Sequence, residues 1–337
     1  MLFLLEEHEQ IICADAVAGL KTLPDNCVFM CVTSPPYYGL RDYGVDGQIG
    51  IEESPQAYIE RLVCVFRKVR RVLREDGTLW INIADCYAGS GKGTWNKDVS
   101  KQKNKQIYHV DTSNPISQMP SVWDGIKPKD LIGIPWMLAF ALRRDGWYLR
   151  SDIIWEKTNC MPENVKDRPT KSYEHIFLLS KSKSYYYDAK AIMEPLQPCT
   201  VIRYQNGRSG NTKYNKVGMG QTIEKKRSNF ESFNQQFRNK RDVWSVSTNS
   251  YRVYQHFAMY PERLIEPCVL AGSPIGGVGL DPFFGSGTTG AVAKRLGRQY
   301  IGIDLNPEYC ELARKRIDAI AENETKGKNQ NVGTGIL

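Results

Sequence analysis

Short apolar runs alternate with amphipathic stretches over the first 85 residues. QIICAD reads as a strand, AVAGLKTLP as a short helix and NCVFMCVT as a second strand. SPQAYIERLVCVFRKVRRVLREDG sets Tyr58, Leu62, Val65, Phe66, Val69 and Leu73 on one helical face, with Gly77 as its stop. TLWINIAD, Thr78 to Asp85, predicts a third strand. This β-α-β-α-β rhythm predicts a mostly parallel sheet with helices on both faces, a Rossmann-like α/β fold. The rhythm returns with the helix IPWMLAFALRRDG and the strands LRSDIIWEK and HIFLLSKS. It closes on VGLDPF, TTGAVAKRLG, QYIGID and NPEYCELARKRIDAIAEN, strand-helix-strand-helix, before a frayed tail, 326–337.

Two tracts break the pattern. Residues 86–126 are rich in Gly, Ser, Asn, Gln and Lys, a loop insertion of functional or disordered length. The second tract, 195–245, holds Arg203, Arg208, Lys213, Lys225, Lys226, Arg227, Arg238, Lys240 and Arg241, with Tyr204, Tyr214, Phe230, Phe233 and Phe237 interleaved. Basic, aromatic and amide side chains together suit a surface that reads grooves and binds phosphates; the bland alternative is a solvated loop. The formal net charge of +8 points the same way, toward a polyanionic partner. With 41% hydrophobic residues the 337-residue chain can bury one large core. Nine scattered cysteines without a CxxC pair predict neither a disulfide framework nor a zinc site, and fit reduced cytoplasmic thiols. MLFLLEEHEQ lacks the basic start of a signal peptide, and no apolar run approaches the ~20 residues of a membrane helix.

Gly285-Ser286-Gly287-Thr288-Thr289-Gly290 is a GxGxxG loop after a strand and before a helix, and Asp304 ends the next strand. That arrangement binds adenosine-containing cofactors: the backbone approaches the ligand, and the carboxylate accepts from ribose hydroxyls. A nicotinamide-dependent oxidoreductase is one reading of it. GSGKG, 89–93, fails as a phosphate loop, because Cys86 replaces the first glycine and Gly93 the Ser/Thr. The Pro-Cys pairs at Cys199 and Cys268 lack a following Gln and precede the glycine loop, so buried structural cysteine is the better reading of both. The four histidines show no metal-ligand spacing.

The stretch CVTSPPYYGLRDYG leaves the second strand as a stiff loop, since two prolines fix φ and remove backbone donors. Together, TSPPYY and DPFFGSGTTG resemble the S-adenosylmethionine-dependent DNA amino-methyltransferases, with the catalytic motif before the cofactor motif as in the β-class order. The resemblance implies a permuted class I methyltransferase fold. Its catalytic part would be 1–85 and 127–194, its target-recognition region 195–245 and its cofactor-binding part 250–325. It implies S-adenosyl-L-methionine as cofactor, duplex DNA as substrate, no metal, a cognate restriction endonuclease as a potential partner, and a monomer or homodimer in a bacterial or phage setting. Ser34, Pro35, Pro36 and Tyr37 would be catalytic: the Ser34 hydroxyl and Pro35 carbonyl as acceptors for the target amine, Tyr37 stacked on a flipped base. Thr33, Asp281, Phe283, Gly285, Gly287, Thr288 and Asp304 would surround the cofactor, with Asp15 accepting from its adenine amine. Capping is the alternative for Thr288. Asp85 is a weaker cofactor candidate, with capping as its alternative too. Tyr38 and Arg41 extend the loop toward DNA, unless Arg41 merely pairs with Asp42. In that family Ser at the first motif position accompanies N4-cytosine, and Asp or Asn accompanies N6-adenine. The expectation is N4-cytosine, with N6-adenine as the alternative.

Overall fold

The computed structural model describes residues 9–89, 125–205, 237–248 and 260–332. The chain divides into two units, Met1–Asp188 with Asp242–Leu337, and Ala189–Arg241. Its strands are β1 (Gln10–Cys13), β2 (Val28–Thr33), β3 (Leu73–Ile83), β4 (Tyr148–Lys157), β5 (Tyr173–Ser180), β6 (Glu194–Pro195), β7 (Phe237–Arg238), β8 (Val243–Val246), β9 (Val278–Asp281) and β10 (Gln299–Asp304). The helices are α1 (Ala16–Thr22), α2 (Pro55–Val72), α3 (Ile134–Arg144), α4 (Pro198–Gln205), α5 (Glu262–Gly272), α6 (Thr288–Arg295) and α7 (Pro307–Val332).

The larger unit is built on an eight-stranded sheet in the order β1-β10-β9-β2-β3-β5-β4-β8. Among these described strands, β5 alone runs against its neighbours. Alternate strand positions serve opposite faces. Ile301 and Ile303 of β10, with Leu79, Ile81 and Ile83 of β3, join a core with α1, α2 and α3. Tyr300, which precedes Ile301 and faces the other side, packs with Phe284, Ala291, Ala313 and Ile317 beneath α6 and α7. Burial on both faces is why these strands read as continuous apolar runs. The Phe284 ring lies on Gly302, where an added Cβ would come within 2.3 Å of it, and under Gly290, at 2.6 Å. Those two glycines let helix, ring and sheet approach.

From the middle of the sheet, β2 to β3 steps one way and β9 to β10 the other. The crevice at the carboxyl ends of β2 and β9 is therefore the switch point where open α/β sheets bind ligands.

Four expectations shift. The helix ends at Val72 and β3 begins at Leu73; Gly77 is not a stop but an interior strand residue, where a Cβ would come within 3.1 Å of the Phe29 carbonyl oxygen. Helix α7 runs on to Val332, into the stretch expected to fray. Strand β8 belongs to the main sheet rather than to the recognition tract. The separate unit starts at Ala189, with α4 and the short antiparallel pair β6–β7 inside it.

Candidate active site

At the switch point the two loops are fastened together. Thr33, wholly buried at the end of β2, donates from Oγ1 to Oδ1 of Asp281 at 2.6 Å. The same oxygen accepts from the Phe283 amide at 3.0 Å. Oδ2 accepts from Thr289 Oγ1 at 2.6 Å and from the Tyr260 hydroxyl at 3.1 Å. Burial pushes the Asp281 carboxyl above its ordinary value, and these hydrogen bonds oppose the shift. Thr33 and Asp281, expected at the cofactor, stand behind the residues that line the cavity. The carboxylate of Asp281 is committed to fastening the loops.

The glycine loop follows. Gly285 has φ +50° and Gly287, the N-cap of α6, has φ +78°. A Cβ on Gly287 would come within 2.9 Å of Ala313 Cβ, so this glycine serves packing against α7 and does not line the cavity. Asp304 accepts from the Gly285 amide at 2.7 Å through Oδ2 and from the Asn306 amide at 2.8 Å through Oδ1. Burial raises its pKa. The loop is also held by Arg316, 5% exposed, which donates to the Ser286 carbonyl and hydroxyl (both 3.3 Å), to Thr288 Oγ1 (3.0 Å) and to Glu262 (2.7 Å). Sequence reading missed Arg316 inside the ARKR run. The signal was there, because it shares a helical face with buried Cys310, Ala313 and Ile317.

A cavity of about 1110 Å³ opens above both loops, lined by Ser34, Pro35, Pro36 and Tyr37 on one side and by Phe283, Gly285, Ser286, Thr288 and Asp304 on the other. Ser34 Oγ donates to the Tyr37 hydroxyl at 3.4 Å, which donates to Glu174 Oε2 at 2.5 Å. Asn82 supports the pair: its Oδ1 lies 3.1 Å from the Tyr37 hydroxyl, and its Nδ2 donates to Glu174 at 3.0 Å and to the His175 carbonyl at 3.2 Å. Burial, and then the Glu174 charge, hold the Tyr37 phenol well above its usual range. Tyr37 is anchored through its hydroxyl as well as lining the cavity. Pro36 gives its carbonyl to the Tyr58 hydroxyl at 2.8 Å, whereas no described residue donates to the Pro35 carbonyl.

The remaining candidates divide. Asp15 lines the cavity and caps α1, accepting from the amides of Val17 (2.9 Å) and Ala18 (3.2 Å) through Oδ1. Asp85 accepts from the amides of Cys86, Gly133 and Ile134, the capping alternative. Arg41 lines the cavity and does not pair with Asp42, which takes the Gly44 amide and Gln48 Nε2. Tyr38 is 3% exposed, its ring 5.4 Å from that of Tyr58, so its expected place at a DNA surface is corrected to the core. In the smaller unit, Arg238 and Arg241 both pair with Glu194, at 3.0 and 3.2 Å. Lys240 lies between them on the chain, and Arg203 lies on α4 with its side chain outside the described set. Arg208, Lys213, Lys225, Lys226 and Arg227 lie outside the described residues, as does most of the insertion 86–126. Cys268 is buried as expected, but Cys199 is exposed, which corrects its reading as a core thiol. Among the described residues no His, Cys, Asp and Glu cluster could hold a metal, and no helix is long and apolar enough to cross a membrane.

The donor set suits an adenosine-containing ligand. A carboxylate at a strand end can accept from paired hydroxyls, Phe283 offers an apolar face, and the backbone beside Gly285 lets a ligand approach closely. Alongside stand a hydroxyl and a carbonyl that can accept from an amine.

The family described as DNA methylase, the N6/N4 methyltransferases, matches residues 28–315. Type II methyltransferase M.SmaI of Serratia marcescens is 47% identical over 309 residues, covering 91% of this chain and 90% of the relative. Type II methyltransferase M.Cfr9I of Citrobacter freundii is 45% identical over 322 residues, covering 94% and 88%. Among solved structures, the PvuII DNA methyltransferase (cytosine-N4-specific) matches with a TM-score of 0.59 at 16% identity, over 93% of this chain and 90% of that one. A DNA modification methylase of Thermus thermophilus, complexed with S-adenosyl-L-methionine, matches with 0.54 at 23% identity, over 93% and 94%. These two likenesses are of fold. The family match removes the nicotinamide reading of the glycine loop.

Proposed function

Because this chain belongs to the N6/N4 DNA methylase family, as a DNA methyltransferase whose cofactor is S-adenosyl-L-methionine, we propose that the amine it methylates is N4 of a cytosine taken out of duplex DNA. The observation that carries this reading is the neutral hydroxyl of Ser34 at the head of the catalytic loop, facing the cavity. In the family a hydroxyl at that position accompanies N4-cytosine.

The cofactor, when bound, supplies a methyl group on a positively charged sulfur. Asp304 accepts from the ribose hydroxyls, and Phe283 packs against the adenosine. Asp15 keeps Oδ2 outside its helix cap for the adenine amine. The target amine is a poor nucleophile because its lone pair is conjugated with the ring. Ser34 Oγ and the Pro35 carbonyl accept from its hydrogens as the nitrogen turns tetrahedral, and they stabilise the positive charge that develops there. Ser34 can serve as an acceptor because its own proton is directed to Tyr37, whose proton is directed to Glu174. Two prolines keep the acceptors in place before the base arrives, which is alignment achieved in advance. The relatives' description as Type II methyltransferases supports a setting beside a restriction endonuclease of matching site preference.

The test is Ser34→Ala. It should bind S-adenosylmethionine as the wild type does by calorimetry, and lose about 10²–10³ in kcat, the usual effect of removing one such group. Undiminished turnover would remove Ser34 from the mechanism.

A further inference from the structure

Lys157 has no part in the chemistry above, yet it lines the same cavity. It ends β4, two residues beyond Trp155 and so on the same face of the strand. Its ammonium lies over the Trp155 ring at 4.9 Å and pairs with Glu174 Oε1, the carboxylate whose other oxygen receives the Tyr37 hydroxyl. Ser34, Tyr37, Glu174 and Lys157 therefore form one run of contacts along the cavity wall. An amine acceptor stands at one end and a cation at the other. The Lys157 side chain is 24% exposed and that of Glu174 8%. Of the three ammonium hydrogens, Glu174 takes one; no other described side chain accepts from the rest.

We propose that Lys157 is the residue by which this cavity distinguishes cytosine from adenine, donating to the O2 oxygen of the flipped base; this rests on the cytosine reading above. Along the edge that begins at the exocyclic amine, cytosine presents a donor and then two acceptors, N3 and O2. Adenine presents its amine, then N1, then a carbon-bound hydrogen. With the amine on Ser34, a cation farther along the wall meets an oxygen in cytosine and a C–H in adenine. The second arrangement leaves a half-buried ammonium facing a non-acceptor, and sites built around a hydrogen bond reject the analogue that lacks it. The Lys157–Glu174 pair carries no net charge, which suits a neutral ring.

The experiment uses the full-length enzyme, S-adenosylmethionine and duplexes containing its site. The target is either cytosine or a pyrimidine analogue that keeps the amine and N3 but lacks O2. Wild type should transfer methyl to the analogue about 100-fold more slowly in kcat/KM, the loss of one hydrogen bond to a charged group. Lys157→Met should lose a similar factor on cytosine and nothing further on the analogue. Lys157→Arg, which keeps donor and charge, should still discriminate. Equal thermal stabilisation by S-adenosylmethionine establishes that each variant is folded. Equal rates on both targets in wild type overturn the proposal with no variant needed, and undiminished discrimination in Lys157→Met overturns it as well. Failure of the cytosine reading looks different: wild type would then yield a methylated adenine.

Discussion

Ser34 and Tyr37 show what a motif states and what it leaves out. The SPPY stretch holds a hydroxyl, two prolines and an aromatic ring, and its place on the cavity wall is what the structure adds. That the Tyr37 hydroxyl is committed to Glu174 was not legible in the sequence, because Glu174 lies 137 residues away and meets it only once β5 has paired beside β3. Tyr37→Phe separates the two roles of that residue. It keeps the ring and removes the hydroxyl that orients Ser34, so kcat should fall about 100-fold, the low end of the range for a positioned proton-transfer group. Cofactor affinity should stay unchanged, and single-turnover kinetics with calorimetry would measure both. Asp281, expected at the cofactor, clamps the two loops together. Its native pKa is raised above the ordinary 3.8, so the folded protein holds that proton more tightly than the unfolded chain. The corresponding stability is complete below 3.8 and is lost as pH rises through the raised native value. Compared with Asp281→Asn, which does not titrate, wild type should lose relative stability across that rise. Urea midpoints at several pH values would show it; a gap independent of pH would contradict the assignment.

Elements follow the hydrophobic period closely where one face is buried, and less well at their ends. The α2 face was legible because Tyr58, Leu62, Val65, Phe66 and Val69 are all buried against the sheet. Its end was misread because a glycine usually stops a helix, whereas Gly77 lies inside β3, where a Cβ would crowd Leu73, the Arg74 carbonyl and the Phe29 carbonyl of β2. The third glycine of the GxGxxG loop, Gly290, and Gly302 share one task, leaving space for the Phe284 ring. Gly302→Ala should destabilise the protein by about 1–3 kcal/mol through overpacking, read as a lower urea midpoint with the m-value unchanged. Helix α3 begins without a side-chain cap of its own and takes one from Asp85, about 50 residues upstream. Asp85→Ala should cost about 1–2 kcal/mol, a loss that denaturant unfolding would detect.

On the scale of the molecule, the chain order explains why the site lies where it does. The SPPY loop leaves β2 and the glycine loop leaves β9, strands far apart in the sequence yet adjacent in the sheet. The two motifs were legible one by one; their fastening through Thr33, Asp281 and Thr289 is a property of the sheet order. Charge is the other feature of this scale. A DNA methyltransferase of net charge +8 should lose DNA affinity steeply with salt, and if the DNA is duplex the slope should be about −0.9 in log–log form for each phosphate contacted. Titrations at several ionic strengths would measure it. Among the basic residues expected to make those contacts, Arg238 and Arg241 already share Glu194, so exchanging a carboxylate for a phosphate is part of any binding they do.

The central claim is the identity of the methylated amine. Incubating the wild-type protein with S-adenosylmethionine and unmethylated duplex DNA of mixed sequence, then digesting to nucleosides for mass spectrometry, tests it directly. N4-methylcytosine is the predicted product. N6-methyladenine in its place would leave the fold and cofactor standing and contradict both the reading of Ser34 and the role given to Lys157.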